Sequence, residues 1–233
     1  MFESYSSWME ALSSYSYPVD LSCYENGNRF PNHFLREIGG DRDSTIEFED
    51  YFRENAGRSI EVYFEVVFWK LYSRKQIRQR STTRITEYVL AERIRPSSLY
   101  EAIESFADEP TQRNLRMIRK LLGIRTNVLA VALTFPAFLN PKRYPMVDNN
   151  VAKWVNANFT RHNRNRQARL TPFTFGYTSL RDNDFGNYLN WIEWCNETAG
   201  ILTSETNLQW RPRDVEMAVF TAKRKDIELA VLL

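Results

Sequence analysis

One carboxylate stands at the start of a predicted helix in the stretch NPKRYPMVDNNVAKWV, residues 140–155. Asp148 follows a proline-marked turn and the apolar pair Met146 and Val147. At such a position backbone N–H groups fix the orientation of a carboxylate and favour its ionised form. Two interpretations stay open. Asp148 is an N-cap, whose replacement by Ala typically costs about 1 kcal/mol, or it caps the helix and also does chemistry.

The charge around this carboxylate indicates a class of partner. Residues 61–170 carry 20 Lys and Arg against 9 Asp and Glu, whereas residues 1–60 carry 5 against 11 and residues 171–233 carry 6 against 9. A basic segment attracts polyanions whatever the fold, so nucleic acid is a candidate partner. A solvated helical face is the alternative. The same choice applies to TRHNRNRQAR (160–169), which is either a phosphate-contacting segment or a flexible connector, with His162 as a weak site candidate.

Helical periodicity dominates the segments that must position these groups, and strand-like alternation is scarce. We therefore predict a mainly α fold, with Ser59 and Ser98 as N-caps and Glu101 completing a capping box. Residues between the first two predicted helices are expected to be irregular. The predicted helices lie at 7–14, 46–57, 59–75, 81–94, 111–122, 127–135, 151–159, 185–198 and 213–225, with a further short helix capped by Ser98.

A tight turn at Gly123 joins two of these helices, and a proline-containing loop leads from the second one to Asp148. This order resembles the helix-hairpin-helix DNA glycosylase superfamily, in which L-x-G-[VI]-G-x-K-x-A-x-x-x-L is followed downstream by [VP]-D-x-x-[VI]. The matching segments here are LLGIRTNVLAVAL (121–133) and MVDNNVAKW (146–154). The resemblance covers about residues 46–225, so we expect residues 1–45 to be an N-terminal extension and 46–233 the glycosylase-like domain.

The resemblance implies a bundle of two helical lobes with a cleft between them. It also implies a monofunctional glycosylase that hydrolyses the N-glycosidic bond of a damaged or mismatched base, with Asp148 as the catalytic carboxylate. Asn127 occupies the position of the family's catalytic lysine, and an amide cannot form a Schiff base, which excludes lysine-dependent lyase chemistry there. The iron–sulfur variant needs four closely spaced C-terminal cysteines, and only Cys195 is present in that region, so no cofactor is expected.

DNA contacts are implied in two places. The hairpin turn of the family presents backbone N–H groups to phosphates, and a loop after the first core helix fills the gap left by a flipped nucleotide. That loop corresponds to LYSRKQ here, in which Tyr72 is either a stacking residue or core, and Lys75 matches the wedge position. The hairpin's second glycine is Arg125, which supplies charge or is an ordinary turn residue. The candidate DNA-binding residues are Tyr72, Arg74, Lys75, Lys120, Gly123, Arg125, Thr126 and Asn127.

Two other functions remain open: a non-catalytic nucleic-acid-binding descendant of the fold, and a helical protein whose acidic N-terminal region binds another protein. We expect a monomer that binds double-stranded DNA. The chain has no basic n-region followed by an apolar core at its start and no apolar run long enough for a membrane span. Its two cysteines, Cys23 and Cys195, lack the spacing of a metal site or disulfide framework. These features predict a cytoplasmic protein without a metal.

Overall fold

Helices dominate the computed structural model, which describes residues 3–25, 37–124, 129–164, 166–174 and 182–232. The prediction of a mainly α protein is confirmed. The chain divides into two compact units, Tyr17–Leu139 and the combination of Met1–Ser16 with Asn140–Leu233. Within the described ranges no helix combines the length and the apolar character that crossing a bilayer requires. The expected domain limits at residues 45 and 46 stay a prediction.

The unit Tyr17–Leu139 is built around one buried helix. In α3 (Glu61–Leu71) every residue except Glu61 and Lys70 is buried, as its nearly continuous apolar sequence predicts. The helices that pack against it are α2 (Arg42–Asn55), α4 (Arg78–Ala91) and α8 (Thr134–Leu139). Two short strands, β1 (Val19–Asp20) and β2 (Glu37–Ile38), pair antiparallel, and a 3-10 helix follows β1. The remaining helices of this unit are α5 (Pro96–Asp108), α6 (Gln112–Leu121) and α7 (Leu129–Ala132).

Two predicted N-caps in this unit are wrong. The N-cap of α3 is Ile60, which makes no side-chain capping bond, and the Ser59 hydroxyl donates instead to the Glu61 carboxylate at 2.5 Å. Helix α5 begins earlier than predicted, at Pro96. The fixed φ of proline suits the first helical position, where its missing N–H has no intrahelical partner to lose, so the helix starts there and Ser98 lies inside its first turn.

The helix predicted for residues 127–135 is interrupted. Its described part forms two short helices, α7 and α8, separated at Leu133. Pro136 lies in α8, where it has no N–H to donate to the carbonyl of Ala132 and its ring would clash with that carbonyl in a continuous helix. The sequence contains this break signal, and the predicted helix ended one residue before it.

The other unit is built around α11 (Pro212–Lys225), whose residues 212–222 are all buried. Helices α1 (Glu3–Ser13), α9 (Asn149–His162) and α10 (Phe185–Glu205) pack against it. The charged residues that α11 buries are paired within the helix terminus: Arg211 with Asp214 at 2.9 Å, and Arg213 with Glu216. Helix α1, which includes most of the predicted helix at residues 7–14, thus contributes to this core.

The segment after α9 is held to this unit by side chains. The Asn163 amide bonds both backbone groups of Leu170, at 2.7 and 2.8 Å, and Asn156 does the same for Phe173, at 2.8 and 3.0 Å. Arg166 is 5% exposed, and its guanidinium pairs with Glu197 at 2.9 Å. The interpretation of 160–169 as a flexible connector is therefore wrong for its described residues, and Arg166 is a core residue rather than a phosphate contact.

Candidate functional site

Asp148 is the N-cap of α9, as predicted. Its Oδ1 accepts hydrogen bonds from the backbone N–H groups of Asn150 at 2.8 Å and Val151 at 2.9 Å. The residue is half-buried, and no described residue donates a hydrogen bond to its Oδ2. One oxygen of the carboxylate thus completes the helix terminus, and within the described ranges the other makes no hydrogen bond.

The loop that precedes Asp148 is fixed by two aromatic side chains of α10. The Trp191 indole N–H donates to the carbonyl of Met146 at 2.9 Å, and the Tyr188 hydroxyl donates to the carbonyl of Pro145 at 3.1 Å. Both bonds are buried. Groups held by packed and hydrogen-bonded neighbours keep one geometry, which is what a preorganised site requires.

The apolar periodicity of the helix predicted at 185–198 places Tyr188 and Trp191 in the core and does not reveal this role. Both are indeed buried, at 1% and 0% exposure. The signal available in the sequence was the polar atom on each ring, since a buried Tyr hydroxyl or Trp N–H usually has a partner. Which backbone carbonyl would accept the bond depends on tertiary packing and could not be read from the chain.

Gly123 ends α6 in the left-handed conformation, with φ +61°. Its N–H donates to the carbonyl of Lys120 at 3.2 Å, and the N–H of Ile124 donates to the carbonyl of Arg119 at 2.9 Å. This pair of bonds is a Schellman motif. A Cβ at Gly123 would lie 2.5 Å from the ring of Tyr88, so both conformation and space require glycine. These two N–H groups are committed to α6 and do not serve as phosphate donors.

The other hairpin candidates have mixed outcomes. Lys120 lies exposed in the last turn of α6. Arg125, Thr126 and Asn127 lie outside the described residues, and their assignment to a DNA contact stays a prediction. The hairpin and Asp148 lie in different compact units, so their predicted placement on the two sides of one cleft also stays a prediction.

In the loop after α3, Tyr72 is the C-cap of the helix and is half-buried. The Arg78 guanidinium lies over its ring at 4.3 Å from the centroid and donates to its carbonyl at 3.0 Å. One face of this ring is therefore already stacked, which leaves at most the other face for a base. Arg74 and Lys75 are exposed in the turn between α3 and α4, where cations can meet a phosphate backbone.

His162 is a core residue rather than a site residue. Its ring lies 4.9 Å from that of Trp154, 6.1 Å from that of Trp194 and 6.4 Å from that of Trp8. Burial lowers the pKa of its imidazole from 6.5 to about 4, and the charge of Arg161 adds to this effect. The side chain is therefore neutral at pH 7. Among the described residues no three His, Cys, Asp or Glu side chains come together as a metal site would require.

An open depression of about 340 Å³ lies in the same unit as Asp148. Its lining includes Ala199 and Gly200 of α10, and Lys142 of the loop that precedes Asp148. Asp148 itself does not line it. The depression is thus separate from the carboxylate, and nothing about its lining selects a particular ligand.

No family model matches this chain, and neither does any curated protein or solved structure. The resemblance to the glycosylases therefore rests on the order of the hairpin, the proline-containing loop and Asp148.

Proposed function

We propose that this chain is a DNA-binding protein of the base-excision-repair type, with the two-lobed helix-hairpin-helix architecture of that superfamily. It acts as a monofunctional DNA glycosylase, as a cytoplasmic monomer, on the N-glycosidic bond of a damaged or mismatched base. The observation that carries the proposal is the geometry of Asp148. Its Oδ1 is held by two backbone N–H groups, no described residue bonds its Oδ2, and the preceding loop is anchored by two buried hydrogen bonds.

In the proposed reaction the bond between the base nitrogen and C1′ of the sugar breaks, and the base takes the electron pair. The positive charge that develops on the sugar is stabilised by the Asp148 carboxylate, which needs no reorganisation because its loop is already fixed. A water molecule attacks C1′; one of its protons stays on the new hydroxyl, and the other passes, directly or through Asp148, to the departing base. Asn127 stands at the lysine position, so water rather than an amine is the nucleophile.

A non-catalytic nucleic-acid-binding protein of the same descent is the second candidate. The observations that favour it are the complete local explanations for two motif residues. Gly123 is required by the Schellman motif and by the ring of Tyr88, and Asp148 satisfies the terminus of α9. Both residues would therefore be useful in a scaffold without catalysis.

The substitution Asp148→Asn separates the two candidates. Asn is about as good an N-cap as Asp, so the fold should stay intact while the negative charge is lost. Asp41→Asn is a matched control, because Asp41 caps α2 through a bond from the Ser44 N–H at 2.8 Å. The assay is strand incision by alkali after incubation with duplexes that carry different damaged bases.

The glycosylase proposal expects incision by the wild type and by Asp41→Asn, and a loss of at least about 100-fold in Asp148→Asn, in the range that removal of one electrostatic group typically causes. Activity that survives Asp148→Asn removes this residue from its proposed role. A wild type that binds duplex DNA but opens no site across the panel supports the non-catalytic candidate.

A further inference from the structure

The exposed face of α6 carries positive charge without any acidic residue. Arg113, Arg116 and Lys120 stand at positions i, i+3 and i+7, which places them along one side of the helix. All three are exposed, and Met117 beside them is 48% exposed. The sequence of α6, QRNLRMIRKL, contains no Asp or Glu. We call Arg113, Arg116 and Lys120 the α6 basic stripe.

The cations of the stripe are not used by the fold. In the part of the chain that the structure describes, none of them forms an ion pair. Arg116 donates a hydrogen bond to the Gln112 side chain at 3.3 Å. Arg119, the fourth cation of the helix, is by contrast buried. The α6 basic stripe is therefore a surface feature that the packing of α6 does not require.

The arrangement also works against the stability of α6. Like charges at i, i+3 and i, i+4 destabilise a helix by about 0.2–0.5 kcal/mol a pair. Arg113 lies in the first turn, where the positive end of the helix dipole disfavours a cation. A bound polyanion would remove both costs, because its charge compensates the three cations together.

We infer that the α6 basic stripe binds phosphates of one strand of double-stranded DNA. From its first to its last residue the stripe extends about 10 Å, at 1.5 Å a residue. One strand of B-DNA presents a phosphate about every 3.4 Å along the helix axis, and because the strand also winds around that axis, its successive phosphates lie about 7 Å apart, so the stripe can meet two or three of them. The α6 face offers one exposed large apolar side chain, Met117, which suits a polyanion better than a peptide that needs several apolar anchors.

This inference rests on the DNA-binding part of the proposed function and not on catalysis by Asp148. It also supplies what the described part of the hairpin turn lacks. The N–H groups of Gly123 and Ile124 are bonded within α6, so side-chain charge on the helix takes over the contact that backbone groups would make. Contacts to phosphate carry no sequence information, so the stripe is expected to bind duplexes of any sequence.

The test is fluorescence anisotropy of the full chain with a labelled undamaged duplex, titrated at several salt concentrations between about 50 and 200 mM, where phosphate contacts dominate. The stripe variant combines Arg113→Gln, Arg116→Gln and Lys120→Gln. The control variant combines Arg58→Gln, Lys153→Gln and Lys225→Gln, which are also exposed and remove the same net charge. Because all six positions are exposed, thermal unfolding should show that both variants fold.

The stripe variant should reduce the magnitude of the negative slope of log K against log salt by about 1.8–2.7, from two or three contacts at about 0.9 each, and weaken binding by about two to three orders of magnitude at about 100 mM salt. The control variant should change the slope by less than about 1. Equal losses in both variants, or unchanged binding by the stripe variant, overturn the inference and leave the proposed function standing.

Three further outcomes are informative. A wild type that binds no duplex at the lowest salt overturns the inference together with the DNA-binding part of the proposed function. Binding of poly-glutamate as tight as that of the duplex at the same salt overturns the choice of DNA as the partner. Loss of incision in Asp148→Asn with unchanged anisotropy concerns the catalytic proposal alone and leaves the stripe intact.

Discussion

The buried His162 should make the stability of its unit, Met1–Ser16 with Asn140–Leu233, depend on pH between the folded and unfolded pKa values of its imidazole. Burial lowers the pKa of its imidazole from 6.5 to about 4. Between these values the unfolded chain binds a proton that the folded chain does not, so the free energy of unfolding rises with pH across the window. Stability is therefore full above pH 6.5 and is lost as the pH falls towards 4.

The size of the effect follows from the shift. Each pKa unit corresponds to about 1.4 kcal/mol, so His162 should cost the folded state about 3 kcal/mol by pH 4. This is a large fraction of the about 5–15 kcal/mol that stabilises a typical domain. The cause is structural: a charged imidazole would have to replace a neutral one among Trp8, Trp154 and Trp194.

The assay is urea unfolding at a series of pH values between 4 and 8, followed by tryptophan fluorescence. The informative quantity is the difference between the wild type and His162→Phe, which keeps an aromatic ring but has no proton to bind. Carboxylates that titrate near pH 4 affect both proteins equally and cancel in this difference. A constant offset from repacking the phenyl ring does not change its pH dependence.

The wild type should lose about 3 kcal/mol more than His162→Phe between pH 7 and pH 4. His33, the other histidine of the chain, is present in both proteins, so its titration cancels in the difference. Parallel profiles for the wild type and His162→Phe would refute the reasoning, because they would mean that His162 titrates alike in the folded and unfolded states.

Two further predictions concern left-handed residues that end helices. Gly123→Ala should destabilise the protein by about 2 kcal/mol or more in urea unfolding, because it adds left-handed strain and places a Cβ against the ring of Tyr88. Arg93 ends α4 with φ +52° and is exposed, so Arg93→Gly should stabilise the protein by about 0.5–1 kcal/mol as that strain is relieved. A stabilising Gly123→Ala or a destabilising Arg93→Gly would contradict this reading of the two helix ends.

The helices could be predicted from the sequence because their signals are local. Apolar periodicity identified α9, and an Asp directly before it identified its cap. The errors also have local causes. Residue type alone favours Ser59 and Ser98 as caps. In the structure Pro96 fixes the start of α5, and Ile60 is the N-cap of α3 without a side-chain capping bond. Residue type ranks the possible caps, but packing decides where the chain turns.

The site could be predicted only in part, because its supports are far apart in the sequence. The bond from Trp191 to the carbonyl of Met146 spans 45 residues, and that from Tyr188 to Pro145 spans 43. The docking of Leu170 by Asn163 likewise depends on side chains that have no periodic signature. Composition correctly marked residues 160–169 as basic, but it could not show that Arg166 is buried against Glu197.

An N-cap and a catalytic carboxylate need different features of the Asp148 side chain and its loop, and features of both kinds are present in the structure. A cap needs a single acceptor, which Ser or Asn would supply about as well. Here the two backbone bonds both use Oδ1, so the terminus of α9 does not require the second oxygen or its charge. A catalytic carboxylate needs that second oxygen and a well-anchored loop. The buried bonds from Tyr188 and Trp191 to the carbonyls of Pro145 and Met146 anchor this loop. Because Asn keeps the capping acceptor and removes only the charge, the substitution Asp148→Asn tests the catalytic demand without disturbing the structural one.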